Sequence, residues 1–154
     1  MKEIMTLDKG WILKKIESTD VLAIGQIDDM LTPGANAESQ VFEVAKMPRQ
    51  VQEVLIDYGV IENPNIRGNS EKCLWIDQTD WLYVRHFPYH PDDRKVEIHF
   101  KGLDTFVDIY LNGTKIGTHN DVYLPQSIDI SGKLLQENQL VLHFRSTDRI
   151  ISEI

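Results

Sequence analysis

Five histidines, one cysteine and a pair of adjacent aspartates are the side chains of this chain whose chemistry reaches furthest beyond packing. Histidines four apart can share a metal when a helix brings them to one face. His86 and His90 have that spacing, but Pro88 lies between them and no helix aligns them. His99 and His143 fall at outward positions of alternating runs, and His119 adds no ligand spacing. All five read as surface residues, and no metal or other cofactor is expected. Asp28-Asp29 lacks the ladder of oxygen ligands that a calcium loop needs. Cys73 would need a histidine base beside it to act as a nucleophile, and nothing local supplies one. It reads as a buried, inert thiol; a single cysteine also excludes an internal disulfide. Asn112-Gly113-Thr114 spells a glycosylation sequon, but at a position better suited to a tight turn.

The elements that would position these residues are mostly strands. From Thr105 to Asn112 the residues alternate: Thr105, Val107, Ile109 and Leu111 point one way, Phe106, Asp108, Tyr110 and Asn112 the other. A period of two means a strand with one packed and one wetter face, here a central one. Asn112-Gly113 ends it with the pair that a type I′ hairpin turn favours, since both central residues need positive φ. Lys115 to His119 returns as the partner.

Strands are also expected at Trp11 to Ile16, Val21 to Ile27, Gln40 to Ala45, Trp81 to Phe87, Arg94 to Lys101, Tyr123 to Ile130 and Asn138 to Arg145. In these runs Val96, Ile98, Phe100, Leu140, Leu142 and Phe144 point inward. Pro48 to Tyr58 changes period: Val51, Val54, Leu55 and Tyr58 form one helical stripe, with Gly59 suited to the position just past the end. Glu62 to Thr79 reads as a long loop anchored near its end by Trp75 and Ile76. About nine short strands, one helix and regular turn signals describe an all-β antiparallel sandwich or barrel.

A chain of 154 residues fits one domain with a sizeable core. Its net charge of −8 argues against a nucleic-acid surface, which needs a basic stripe. No apolar run approaches the roughly 20 residues that span a bilayer, and residues 1–5 lack a signal-peptide pattern, so no membrane partner and a cytoplasmic location are expected.

Gly102-Leu103-Asp104-Thr105, then Val107 to Gly113, then His119-Asn120 and Pro125 beyond the aromatic Tyr123 form an ordered set. That set resembles the N-terminal sugar-binding domain of glycoside hydrolase family two. The Trp75-Ile76, Thr79-Asp80, Trp81, Tyr83 and Phe87 pattern is similar to β-mannosidase-like members more than to β-galactosidases. The loop Glu62 to Glu71 resembles theirs too, with Asn63 where they more often carry Asp. The resemblance covers about Pro48 to Ser146 and implies a jelly-roll β-sandwich of the galactose-binding type.

It also implies a retaining glycosidase as parent, whose two catalytic carboxyl groups stand about 5–5.5 Å apart. In the family both are glutamates of a separate barrel downstream, so no catalytic residue is expected in this chain, and the barrel is its implied partner. The chain reads as a single sandwich domain over residues 1–154 that is cut short: Thr147 stands where the family has Pro, and Ile154 comes before the family's Trp-Asp-Trp motif. Weak or no sugar binding in isolation and some self-association through exposed edges are therefore expected. The substrate-binding candidates implied are Asn69, whose amide offers donor and acceptor to a hydroxyl, and Trp75, which would stack on a sugar or plug the loop into the core. Two rival readings remain: a free-standing carbohydrate-binding module with Phe106 and Tyr110 as its platform, and a purely structural sandwich that buttresses the barrel.

Overall fold

The computed structural model describes residues 4–16, 41–44, 46–47, 51–60, 74–77, 79–100, 107–119 and 126–145. Asn69, Cys73, Phe106, the Asp28-Asp29 pair and the expected strand Val21 to Ile27 lie outside them. Among the described residues the strands are β1 (Trp11–Ile16), β2 (Val41–Val44), β3 (Asp80–Pro88), β4 (Glu97–Phe100), β5 (Val107–Leu111), β6 (Thr114–His119), β7 (Gln126–Asp129) and β8 (Glu137–Phe144). Helix α1 covers Val51–Asp57. A single further turn of helix, Leu74–Asp77, interrupts what the sequence reads as loop.

All the pairings are antiparallel. One sheet has the order β2-β1-β3-β8-β5-β6, and β4 pairs with β7 in a second, two-stranded sheet. This is the expected all-β antiparallel sandwich. β5 is an inner strand but not the central one: β3 and β8 hold the middle, and β5 stands between β8 and β6.

The core lies on one face of the large sheet. Leu13, Trp81, Tyr83, Phe87, Val107, Ile109, Leu111, Leu140 and Leu142 are all buried there. Val96, Ile98, Phe100 and Ile128 of the small-sheet region pack against them, with Ile98 opposite Ile128 in register. Alternation alone accounts for this: every one of these strand residues sits at the apolar phase of its run. β3 is apolar on both faces because Leu82 and Val84 are buried on the far side with Ile16 and Val141.

Local geometry follows the sequence closely at two ends. Asn112 and Gly113 have φ of 52° and 85°, the positive pair that a type I′ turn requires. Helix α1 stops at Gly59, φ 70°, where Gly59 N–H donates to Ile56 O (3.0 Å) and Val60 N–H donates to Leu55 O (2.9 Å). Those two bonds are a Schellman cap, which closes the last carbonyls of a helix through a left-handed residue.

Asn112 does more than turn the chain. Its Nδ2 donates to Asn138 Oδ1 (2.9 Å), and its Oδ1 accepts from Gln139 N–H (2.8 Å). Asn138, 2% exposed, also donates to Leu135 O (2.7 Å) and accepts from Leu135 N–H (2.8 Å). The hairpin tip is thus tied to the start of β8. An amide nitrogen engaged in this way is a poor glycan acceptor, in keeping with the reading of the sequon as a turn.

Candidate functional site

Trp75 lies on the helical turn that leads into β3, half-buried. Its carbonyl accepts from Thr79 Oγ1 (2.8 Å), and the carbonyl of buried Ile76 accepts from Trp81 Nε1–H (3.1 Å). The two indoles meet at 5.9 Å between centroids, tilted by 44°. Lys15 Nζ stands 5.3 Å from the centroid of the Trp75 ring, over its face. Lys15 shares the core-facing phase of β1 with Trp11 and Leu13 and pairs in register with Trp81. A lysine at that phase is tolerated because its stem lies along apolar surface while the ammonium rests on an aromatic face.

The opposite wall comes from helix α1 and β2. Tyr58 packs on Phe42 at 5.3 Å. Its hydroxyl accepts from Glu43 N–H (3.1 Å) and donates to Glu43 O (3.0 Å). β2 ends the described sheet, so one phenol caps ladder groups that would otherwise be open to strand addition. Between the walls is a cleft of about 260 Å³, floored by Leu55 and Trp81 and rimmed by Gly59 and Val60.

A second polar cluster occupies the outer face of the large sheet. Asp108, 7% exposed, accepts from Thr118 Oγ1 (3.1 Å) and pairs with Lys115 Nζ (3.2 Å) and Arg145 Nε (3.4 Å). Beside it His143 Nε2 lies 2.9 Å from Asp80 Oδ2, with Asp80 2% exposed. The sequence reading put His143 at an outward, solvated position; the outward phase is right, but His143 is half-buried against a carboxylate. The Asp108 face is the wetter of the two, as expected, since Tyr110 and Asn112 keep partial exposure while Val107, Ile109 and Leu111 are buried, but Asp108 itself is out of water.

A β-bulge builds this cluster. Ile109 pairs with Gly117 and Tyr110 with Lys115, so Ile116 is the extra residue on β6. Lys115 and Thr118 are three apart and would face opposite ways in a regular strand. The bulge resets the phase and sends both to Asp108, while Ile116 packs on the core. No periodicity rule locates such an insertion.

Of the remaining histidines, His86, His90 and His99 are exposed. His99 Nδ1 hydrogen-bonds Ser127 Oγ at 2.5 Å. Among the described residues no three His, Cys, Asp or Glu side chains come together as metal ligands would. Tyr110 packs on the outer apolar cluster rather than standing clear of the sheet. Sequence reasoning singled out Trp75 but missed Lys15, Phe42 and Tyr58 as its neighbours. Tyr58 was legible only as the last residue of a helical stripe.

Comparison with known proteins agrees with this architecture. The sequence model of the glycosyl hydrolase 2 galactose-binding domain-like family matches residues 30–153. Beta-mannosidase B of Thermothelomyces thermophilus is 28% identical over 146 residues, 93% of this chain and 15% of the relative. The beta-mannosidase of Mus musculus is 32% identical over 105 residues, 66% of this chain and 12% of the relative. The crystal structure of a beta-D-mannosidase from Dictyoglomus thermophilum superposes with a TM-score of 0.79 at 25% identity, covering 99% of this chain and 17% of that one. A β-glucuronidase from Ruminococcus gnavus shares the fold with a TM-score of 0.57 at 19% identity, covering 92% of this chain and 22% of that one. The chain therefore spans about one-seventh of the curated relatives it matches. With its paired antiparallel sheets and a family match over four-fifths of its length, this chain belongs to the glycosyl hydrolase 2 galactose-binding domain-like family.

Proposed function

We propose that this chain is the non-catalytic sugar-binding sandwich of a retaining β-mannosidase-like glycosidase, and that it works with a catalytic barrel supplied by the longer protein. The observation that carries the reading is the likeness to the Dictyoglomus thermophilum enzyme over 99% of this chain and only 17% of that one. A sandwich of this kind adds residues to the margin of a site whose two carboxyl groups lie elsewhere. In this reading the loop that carries Asn69 reaches the sugar, and Trp75, held by Thr79, Trp81 and Lys15, anchors the end of that loop. An amide that loses a hydroxyl partner in a desolvated site costs about 1–3 kcal/mol.

The test uses a longer protein that carries both this sequence and a barrel. Asn69→Ala should lower kcat/KM for a p-nitrophenyl β-mannoside about tenfold, with the melting temperature unchanged. The 154-residue chain alone should show no turnover. Full activity in Asn69→Ala would leave the domain a structural buttress. Turnover by the chain alone would end the non-catalytic reading.

A further inference from the structure

We propose that Asn112-Gly113 is a latent site of spontaneous deamidation, closed while the hairpin tip is tied to β8 and opened by unfolding, so that reaction there makes the unfolding irreversible. The proposal stands apart from the reading of the chain as a glycosidase domain.

The chemistry needs only the chain and water. Asn112-Gly113 is the one Asn-Gly pair in the sequence. Deamidation starts when the backbone nitrogen of the next residue attacks the asparagine Cγ, and glycine has no side chain to hinder that approach. The Gly113 nitrogen loses its proton and bonds to Asn112 Cγ, while the Cγ–Nδ2 bond breaks and ammonia leaves. Water then opens the five-membered succinimide at either carbonyl, giving aspartate or isoaspartate. Nothing is oxidised or reduced.

In the folded hairpin the reacting group is clamped. Gly113 is exposed and Asn112 half-buried, so it is the hold on the carboxamide, rather than exclusion of water, that protects the pair. Asn112 Nδ2 donates to Asn138 Oδ1 (2.9 Å) and, at a longer reach, to Lys133 O (3.4 Å). Its Oδ1 accepts from Gln139 N–H (2.8 Å), and its backbone N–H donates to Gln139 O (2.9 Å). Ring closure swings the carboxamide onto the chain's own backbone, which breaks the bonds to Asn138 and Gln139 together.

The product cannot rebuild the tie. An aspartate at this place has two oxygens and no N–H, so one oxygen faces Asn138 Oδ1, acceptor against acceptor. Asn138 is not free to turn its amide over. Its Oδ1 accepts from Leu135 N–H (2.8 Å), its Nδ2 donates to Leu135 O (2.7 Å), and the side chain is buried. Isoaspartate also adds a methylene to the backbone of a turn that two residues close.

The experiment holds the 154-residue chain in mildly alkaline buffer, folded and in urea above its unfolding midpoint, and follows the Asn112 peptide by mass spectrometry. Conversion should be about tenfold or more slower in the folded chain, in proportion to the time the tip spends open. Equal rates would overturn the proposal. Asn138→Ala should raise the folded-state rate about threefold or more. Where that variant does not fold, Asn138→Ser, whose hydroxyl can keep a bond to Leu135, takes its place. A folded-state rate unchanged by the loss of Asn138 would put the protection in the turn alone and overturn the clamp. Chains converted in urea, and the Asn112→Asp variant, should unfold at a lower urea concentration than the unmodified chain. Converted chains that regain the unmodified midpoint would show that the reaction does not make unfolding irreversible, and that too would overturn the proposal.

Discussion

The two faces of the six-stranded sheet are built by different rules. The inner face is apolar at most described positions that alternation marks as inward, from Leu13 on β1 through Tyr83 and Leu142 to Ile109, and these are buried; Lys15, resting on Trp75, Arg85 and the buried Asn138 are its polar exceptions. Each of the apolar residues would be chosen by hydrophobic period alone. The outer face mixes a small apolar cluster, Ile16, Leu82, Val84 and Val141, with two charged groups that are also out of water, Asp80 and Asp108. A carboxylate there is tolerated only because partners converge on it: His143 for Asp80; Thr118, Lys115 and Arg145 for Asp108. The inner face needs the right kinds of residue, whereas the outer face needs particular residues at particular places.

The largest effect should come from the inner face. Ile109→Ala removes a fully buried side chain between β8 and β6 and should cost about 2–5 kcal/mol. A urea melt that shows less than half a kilocalorie lost would mean the face is assigned wrongly.

Asp108→Ala tests the outer face. It leaves Lys115 and Arg145 without their carboxylate and should cost about 1.5–3 kcal/mol, reduced because both cations keep some contact with water. A double-mutant cycle with Thr118→Val should show coupling between the two positions. Additive losses would mean that the bulge brings them together without energetic consequence.

The hairpin keeps the two faces from exchanging. A one-residue slip of β5 would put Asp108 in the core and Ile109 outside. Gly113→Ala strains a residue at φ 85° and should cost about 1–2 kcal/mol in the same melt. A neutral result would show that the tie between Asn112 and Asn138, rather than the turn, sets the register.

The smallest effect belongs to carboxylates that are merely exposed. Hydrogen bonds from the Ser131 side chain and backbone hold the Asp129 carboxyl below its ordinary range. The Arg94 backbone N–H does the same for Asp92, aided by the Arg94 side chain. A depressed folded-state pKa gives stability that is complete above the unfolded value and lost as pH falls through the folded one. Melts between pH 5 and about 3 should therefore show a slight decline, and Asp129→Asn should flatten part of it. A rise in stability toward acid would reverse the sign and contradict both assignments.

Much of the fold was legible because it is local. The boundaries of β1 and the stop of α1 at Gly59 follow from period and φ preference, and so does the turn at Asn112-Gly113. The helical turn at Leu74–Asp77 was not legible, since four residues are too few for a period to appear. The candidate site was legible in one residue, Trp75, as an aromatic in a long loop.

Which residues alternate, where the chain must turn, and hence which side chains share a face follow from residue order alone. Those properties depend on backbone sterics and on burial, and both act over a few neighbouring residues. What those side chains meet depends on how distant segments pack. Lys15 reaches Trp75 because β1 lies beside β3, and Tyr58 caps Glu43 because α1 folds back over the end of the sheet. Lys115 and Thr118 both find Asp108 because one extra residue at Ile116 reverses the phase of β6. Strand order and the position of a bulge depend on contacts between segments far apart in the chain, and no local pattern carries them.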